Sequence, residues 1–293
     1  MKKIFLFLIV VIIFLTAFPF AIFAQNIQPT QLLSNPFLMC PAHVGNSESP
    51  RASLMYKNDW AGSCLAGFDT PLEKLHGGAG LYAVCENSTY NRTVLSARGI
   101  YSYRWNINDI FRIGTAAYVG GVYMHQGNYV PDDTSHIIAT PSYTNSYFDE
   151  GLSLAFDYKK LSFGATCFHL LTPDIGINST YRMNRTFSFF IGYDLWMMKG
   201  EKHKGIGVSP LLYLTNEDSD MKVTIGFDFV WNNIFAGAYY RASDFNIVTL
   251  IYHAGARVGR FQFGYAFDKT ESDLFLANSS GHEVFLNYFF EKK

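Results

Sequence analysis

Phe261-Gln262-Phe263-Gly264-Tyr265-Ala266-Phe267-Asp268 decides the fold. The odd positions are all aromatic, and the even ones are Gln, Gly, Ala and Asp. A repeat of two is the repeat of a β-strand, whose successive side chains point to opposite faces. The pattern recurs along the chain. Val223, Ile225, Phe227 and Phe229 oppose Thr224, Gly226 and Asp228, and Leu152, Leu154, Phe156 and Tyr158 oppose Ser153, Ala155 and Asp157. Phe187, Phe189, Ile191, Tyr193 and Leu195 oppose Ser188, Gly192 and Asp194, and Val284, Leu286, Tyr288 and Phe290 close the series. A soluble sandwich buries its large residues and covers the other face with Lys and Glu. Here the second face is small and carries almost no Lys or Glu. That predicts an all-β, outer-membrane antiparallel up-and-down β-barrel, with lipid outside and small or polar side chains inside.

Composition agrees. Only 16% of the 293 residues are charged, against roughly 25% in ordinary soluble proteins, while Phe 27, Tyr 19 and Gly 24 are abundant. The net charge of −1 comes with no basic block, which excludes nucleic acid as a partner. Lys2 and Lys3 precede an apolar run from Ile4 to Phe23 that ends at Ala24-Gln25, the layout of a signal peptide over 1–24. A transmembrane anchor is the competing reading, but Pro19 breaks the run and Ala24 suits cleavage. Residues 25–50 carry Pro29, Pro36, Pro41 and Pro50, each lacking a backbone donor, so the stretch reads as a Pro-containing periplasmic segment outside the sheet. Within it, Asn35 to Gly45 is expected to fold into the periplasmic mouth and narrow the lumen.

The barrel is then 51–293. Turn signals divide it into 51–59, 62–70, 75–86, 92–104, 110–124, 150–158, 161–169, 184–198, 205–216, 221–230, 233–242, 246–257, 260–269 and 281–290. That makes about 14 strands, an even number as single-chain bacterial barrels require. The long connections 125–149, 170–183 and 270–280 fall on one side, and the short ones at 159–160, 231–233 and 258–260 on the other. Long outer loops and short periplasmic turns are the outer-membrane arrangement.

Residues that could carry chemistry are few. There is no GxSxG, HExxH, CxxC or Walker pattern, the eight His are scattered, and neither a metal nor a cofactor is expected. Cys64 and Cys85 fall on one hairpin, where they serve as wall residues or form a disulfide. Arg112, Asp157, Asp194 and Asp228 lie on the small-residue face near the periplasmic end. They read as a paired lumen network, with a docking ring for a periplasmic partner as the alternative.

Two motifs carry a resemblance over most of the chain. Asn35-Pro36-Phe37-Leu38-Met39-Cys40-Pro41-Ala42-His43-Val44-Gly45, followed by Tyr56-Lys57-Asn58-Asp59-Trp60, resembles the opening of the PorP/SprF family, type IX secretion system outer-membrane proteins of Bacteroidota. That family commonly shows NPAYAG and then YRNQW; Cys40 replaces the second Asn, and His43-Val44 replaces Tyr-Ala. Phe263 to Asp268, a loop, then Gly281-His282-Glu283-Val284 resembles its GYSYD…GSHEI ending. Val208 to Leu212 and Gly237 to Arg241 are similar to its PSLLL and GxSYR segments. The resemblance implies a non-enzymatic component of secretion or gliding, embedded in outer-membrane lipid. Its partners would be periplasmic type IX components and a secreted cargo adhesin. It marks Asn35, Pro36, Pro41, Ala42, Gly45, Trp60, Asp268, Gly281, His282 and Glu283 as candidate interaction residues, the last pair as one external surface. Two other classes stay open: a diffusion porin or small channel, and an outer-membrane lipase or deacylase using His169 or His253, for which no acid partner is evident in the sequence.

Overall fold

The computed structural model describes residues 30, 35–59, 61–88, 92–127, 142–175, 182–196, 205–217, 220–244, 247–272 and 279–291. The signal-peptide reading at 1–24, and Trp60, lie outside them.

Fourteen antiparallel strands close into a barrel. They are β1 Arg51–Asn58, β2 Ala61–Leu72, β3 Gly77–Ser88, β4 Arg92–Asn108, β5 Phe111–Gln126, β6 Tyr143–Tyr158 and β7 Leu161–Phe168. β8 is Thr186–Tyr193, continued as Leu195–Trp196, and is followed by β9 Ile206–Glu217, β10 Asp220–Trp231 and β11 Ile234–Ser243. β12 Ile247–Val258, β13 Phe261–Ser272 and β14 Ser279–Phe289 complete the wall. Each strand pairs with its sequence neighbours, and β14 closes on β1 from Arg51↔Phe289 to Asn58↔His282. Closure removes the unpaired edge that hydrocarbon cannot solvate. The break in β8 has a local cause. In the register set by Gly192↔Leu211 and Leu195↔Val208, Pro210 stands where the ladder lapses, because it has no N–H to donate.

Large residues face outward. Ile225 and Phe227 are 55% and 50% exposed, whereas Thr224, next to Ile225 on the other face, is 2% exposed. The expected inside-outside sense is therefore observed. Both ends of the described wall, Arg51 and Phe289, lie at the rim of the two-residue turns 159–160, 232–233 and 259–260. The strand ends that flank the longer connections, Gln126 and Tyr143, and Phe168 and Thr186, lie at the other rim, which is the outer one.

Two departures from the sequence reading have physical reasons. β6 begins at Tyr143, inside the stretch expected to be loop. There Tyr143, Asn145 and Tyr147 are the more buried set, and Thr144, Ser146 and Phe148 the exposed one, so no consistent apolar outer face marks the strand. The interior is also not uniformly small. Tyr118, Phe190, Tyr239 and Phe235 point inward, and each lies over a directly paired glycine: Gly151, Gly164, Gly226 and Gly255. A Cβ on any of these four glycines would come within 2.1–2.4 Å of that ring. The small inner positions are sockets for a neighbour's aromatic ring.

Candidate functional site

The barrel is filled by its own N-terminal segment. Pro36 opens one helical turn, Pro36–Met39, and Pro41 opens a 3-10 turn, Pro41–His43, each proline standing where its missing N–H is not needed. Cys40 between them is extended, and Gly45, at φ 68°, turns the chain out toward β1. Phe37, Met39, Cys40, Ala42, His43 and Val44 are buried. The segment thus lies inside the lumen, not below it in the periplasm.

Wall side chains reach the main chain of this segment from several strands. Ser102 Oγ and Arg104 Nη2 donate to the Val44 carbonyl at 2.9 and 2.6 Å. Thr166 Oγ1 and Ser188 Oγ donate to the Met39 carbonyl at 3.4 and 3.3 Å. The Ala42 N–H donates to Ser153 Oγ at 3.3 Å, and the Gly45 N–H to Asp69 at 3.0 Å. Farther up, the Thr30 N–H donates to Glu283 at 2.8 Å, and its hydroxyl to Asp268 at 3.2 Å. Glycines make the room: a Cβ at Gly78 would lie 2.4 Å from the Val44 oxygen. Cys40 Sγ sits 3.0 Å from Ser153 Oγ, and burial pushes its thiol up to about 11. His43 packs edge-on against Phe190, with Nε2 buried 3.8 Å from Asp157 and without a hydrogen-bond partner among the described residues. Burial holds its imidazole down at about 4; Asp157 opposes that shift, and Arg112 and Arg104 add to it.

The inward charges form separate pairs. Arg112 meets Asp157 at 2.7 Å, and Asp157 also accepts from Ser162. Asp228 accepts from the Tyr239 hydroxyl at 2.7 Å and meets His253 Nε2 at 2.8 Å. Asp194 shares their parity but stands exposed at the rim, accepting from Ser209. These four therefore belong to three sites, not one network. Charges the sequence reading passed over do more of the filling. Arg51 pairs with Asp69, the same carboxylate that takes the Gly45 N–H. Arg98 and His169 converge on Asp149 at 2.7 and 2.6 Å, and Lys57 meets Asp268 at 3.2 Å. Parity could have flagged Arg51 and Lys57, since they share the inner face of β1 with Ser53 and Met55. The far partners depend on register across strands, which sequence does not carry.

The marked family positions are mostly brought together. Asn35, Pro36, Pro41, Ala42 and Gly45 form the lumen segment. Asp268 lies directly over Gly281, where a Cβ would come within 2.3 Å of its carboxylate. His282 and Glu283 do not share a surface. Glu283 points inward, 1% exposed, to the Thr30 amide; His282 points outward, its Nδ1 2.6 Å from the Tyr265 hydroxyl. Alternation along β14 forces the split. Cys64 and Cys85 are directly paired in register and both are free thiols. Among the described residues no group of three His, Cys, Asp or Glu could hold a metal.

A family model described as type IX secretion system membrane protein PorP/SprF matches residues 21–288. No curated protein matches the sequence. Among solved structures, the CymD monoaromatic hydrocarbon channel is similar at TM-score 0.60 and 9% identity, over 92% of this chain and 94% of that one. The toluene transporter TbuX of Ralstonia pickettii is similar at 0.56 and 10%, over 87% and 93%. The toluene transporter TodX of P. putida follows at 0.53 and 7%, over 84% and 91%. At these identities the likeness is one of fold.

Proposed function

The chain belongs to the PorP/SprF family of type IX secretion system membrane proteins, and from that premise we propose a non-enzymatic coupling role in the outer membrane. In this reading it links periplasmic components of the machine to the export or surface attachment of a cargo adhesin. The observation that carries the reading is the lumen segment. It runs from Gly45, tied to Asp69 toward the periplasmic rim, up to Thr30, tied to Glu283 and Asp268 in the outer half. Its described residues therefore touch the inner wall in both the periplasmic and the outer half. A diffusion pore needs a continuous aqueous lumen, whereas here the segment is packed into the lumen and the cavity beside Leu38, Arg98, Tyr147 and Glu217 measures about 70 Å³. His169 and His253 each have an Asp partner, but the other ring nitrogen of each is buried and bonds nothing among the described residues, so neither is placed to activate a nucleophile.

The second reading, a small outer-membrane channel, is favoured by the likeness in fold to the hydrocarbon channel and the toluene transporters. Affinity purification from solubilised outer membrane, read by mass spectrometry, separates the two. Co-purification of periplasmic type IX components, together with loss of adhesin from the surface of a deletion strain, supports coupling. Steady single-channel conductance of the wild-type protein, with no such partners, would replace coupling by the channel.

A further inference from the structure

Most of the hydrogen bonds that hold the lumen segment share one property: they read main chain. Carbonyls of Met39 and Val44 are taken by Thr166, Ser188, Ser102 and Arg104, and amides of Thr30, Ala42 and Gly45 by Glu283, Ser153 and Asp69. Groups that grip peptide carbonyls and amides grip them in any sequence; selectivity is left to pockets. The pockets here are glycine sockets: Gly80 for the Val44 side chain, Gly114 for Ala42 and Gly164 for Cys40. The segment contributes no bond to the barrel ladder, since β1 pairs with β14 and every strand has two neighbours without it. It can leave without opening the sheet. Nor is it a perfect occupant: among the described residues Asn35 Oδ1 and His43 Nε2 are buried with no hydrogen-bond partner, which penalises the seated state.

We infer that the inner wall is a peptide-binding groove whose resident ligand is residues 35–45, and that a polypeptide segment of another protein can take their place. The fitting segment has small side chains over the glycine sockets and a glycine at the position of Gly45, where a Cβ would lie 2.6 Å from the Thr70 oxygen. This deepens the coupling role by giving the partner's chemistry. It rests on that role only for which polypeptide arrives, and a synthetic peptide tests the groove by itself.

The probe is a fluorescent peptide of sequence 35–45, titrated by anisotropy into the full-length protein in nanodiscs. Wild type, whose groove is occupied, should bind it weakly. Gly45→Val, which unseats the resident segment and leaves the wall unchanged, should bind at least tenfold tighter, and N-methylation of the peptide at Ala42 and Gly45 should remove that gain. A lock provides the second arm. In a background with Cys64, Cys85 and Cys167 replaced by Ser, Ser153→Cys places a thiol beside Cys40. Diamide oxidises the two thiols to a disulfide, and dithiothreitol reduces it. The locked protein should bind no peptide, and the same protein after reduction should regain saturable binding. Equal binding by locked and reduced protein overturns the proposal, as does absence of saturable binding to a Gly45→Val protein that keeps its barrel mobility on gels. If Gly45→Val does not fold, the lock decides alone. Peptide binding without recovery of any machine component would leave the groove standing and remove the coupling role.

Discussion

His43 sits where one proton changes the balance of the lumen. Its ring is sealed between Phe190 and the wall, and burial lowers its pKa from 6.5 to about 4. Between those values the displaced segment binds a proton that the seated one does not, so seating strengthens as pH rises through that window and weakens on acidification. The full difference is about 3 kcal/mol, at roughly 1.4 kcal/mol per unit. Urea midpoints of wild type should therefore fall more between pH 7.5 and pH 5 than those of His43→Gln; parallel loss in both proteins would show that His43 is not the group responsible. At this scale the sequence was only partly legible. The prolines announced a chain outside the sheet, and Asp157 and Arg112 announced each other by height and face. The partner of Asp228 did not: His253 arrives from two strands away, across Gly237, whose lack of a side chain clears the path. His282 and Glu283 misled because adjacency in sequence suggested a shared surface, while the strand sends them to opposite faces.

Strands were the most legible part, because lipid outside enforces alternation wherever the wall is in the membrane. Phe227→Lys, on that outer face, should cost about 2–4 kcal/mol in a refolding titration if the site lies near mid-membrane. Where the outer face meets no hydrocarbon, as along Thr144 and Ser146, the signal vanishes and the sequence reading of β6 is seven residues short. What alternation could not reveal is the pairing of inward aromatics with glycines, since it needs the register between strands. Gly164 offers a clean test. A Cβ there would meet only side chains, Phe190 at 2.1 Å and Cys40 at 2.9 Å, with backbone clear among the nearest atoms. Gly164→Ala should destabilise by about 1–3 kcal/mol through overpacking. Phe190→Leu in the same protein should recover most of that loss, while Gly192→Ala, with nothing nearer than 3.7 Å, should cost little. Additive losses in the double variant would mean that the ring is not the obstacle.

For the whole molecule, the wall and its contents obey separate rules. The wall is closed by backbone hydrogen bonds from β1 to β14 and needs no filler to satisfy them. The contents are held by side chains, and their buried apolar members, among them Phe37, Met39, Cys40 and Val44, form one cluster with inward wall residues such as Leu65, Tyr82 and Phe190. Removing the contents should therefore unblock the barrel without unmaking it. Deletion of 26–46 takes out Thr30 and every residue from Asn35 to Gly45 while leaving β1 its start at Arg51. The variant should keep the heat-modifiable mobility of a folded barrel. Its melting temperature should fall, because the inward faces of Tyr82 and Phe190 lose apolar neighbours at roughly 25 cal/mol per Å² newly wetted. In planar bilayers it should conduct steadily where the full-length protein does not. Asp69, Asp157, Asp268 and Glu283 would then line the opening, each having lost a contact to the segment. With Arg51, Arg104 and Arg112 among them, the opening is of mixed sign, and its preference for cations over anions should be slight. Unchanged conductance in a folded deletion variant would show that wall side chains alone close the lumen, and the segment would then be a passenger in a barrel already shut.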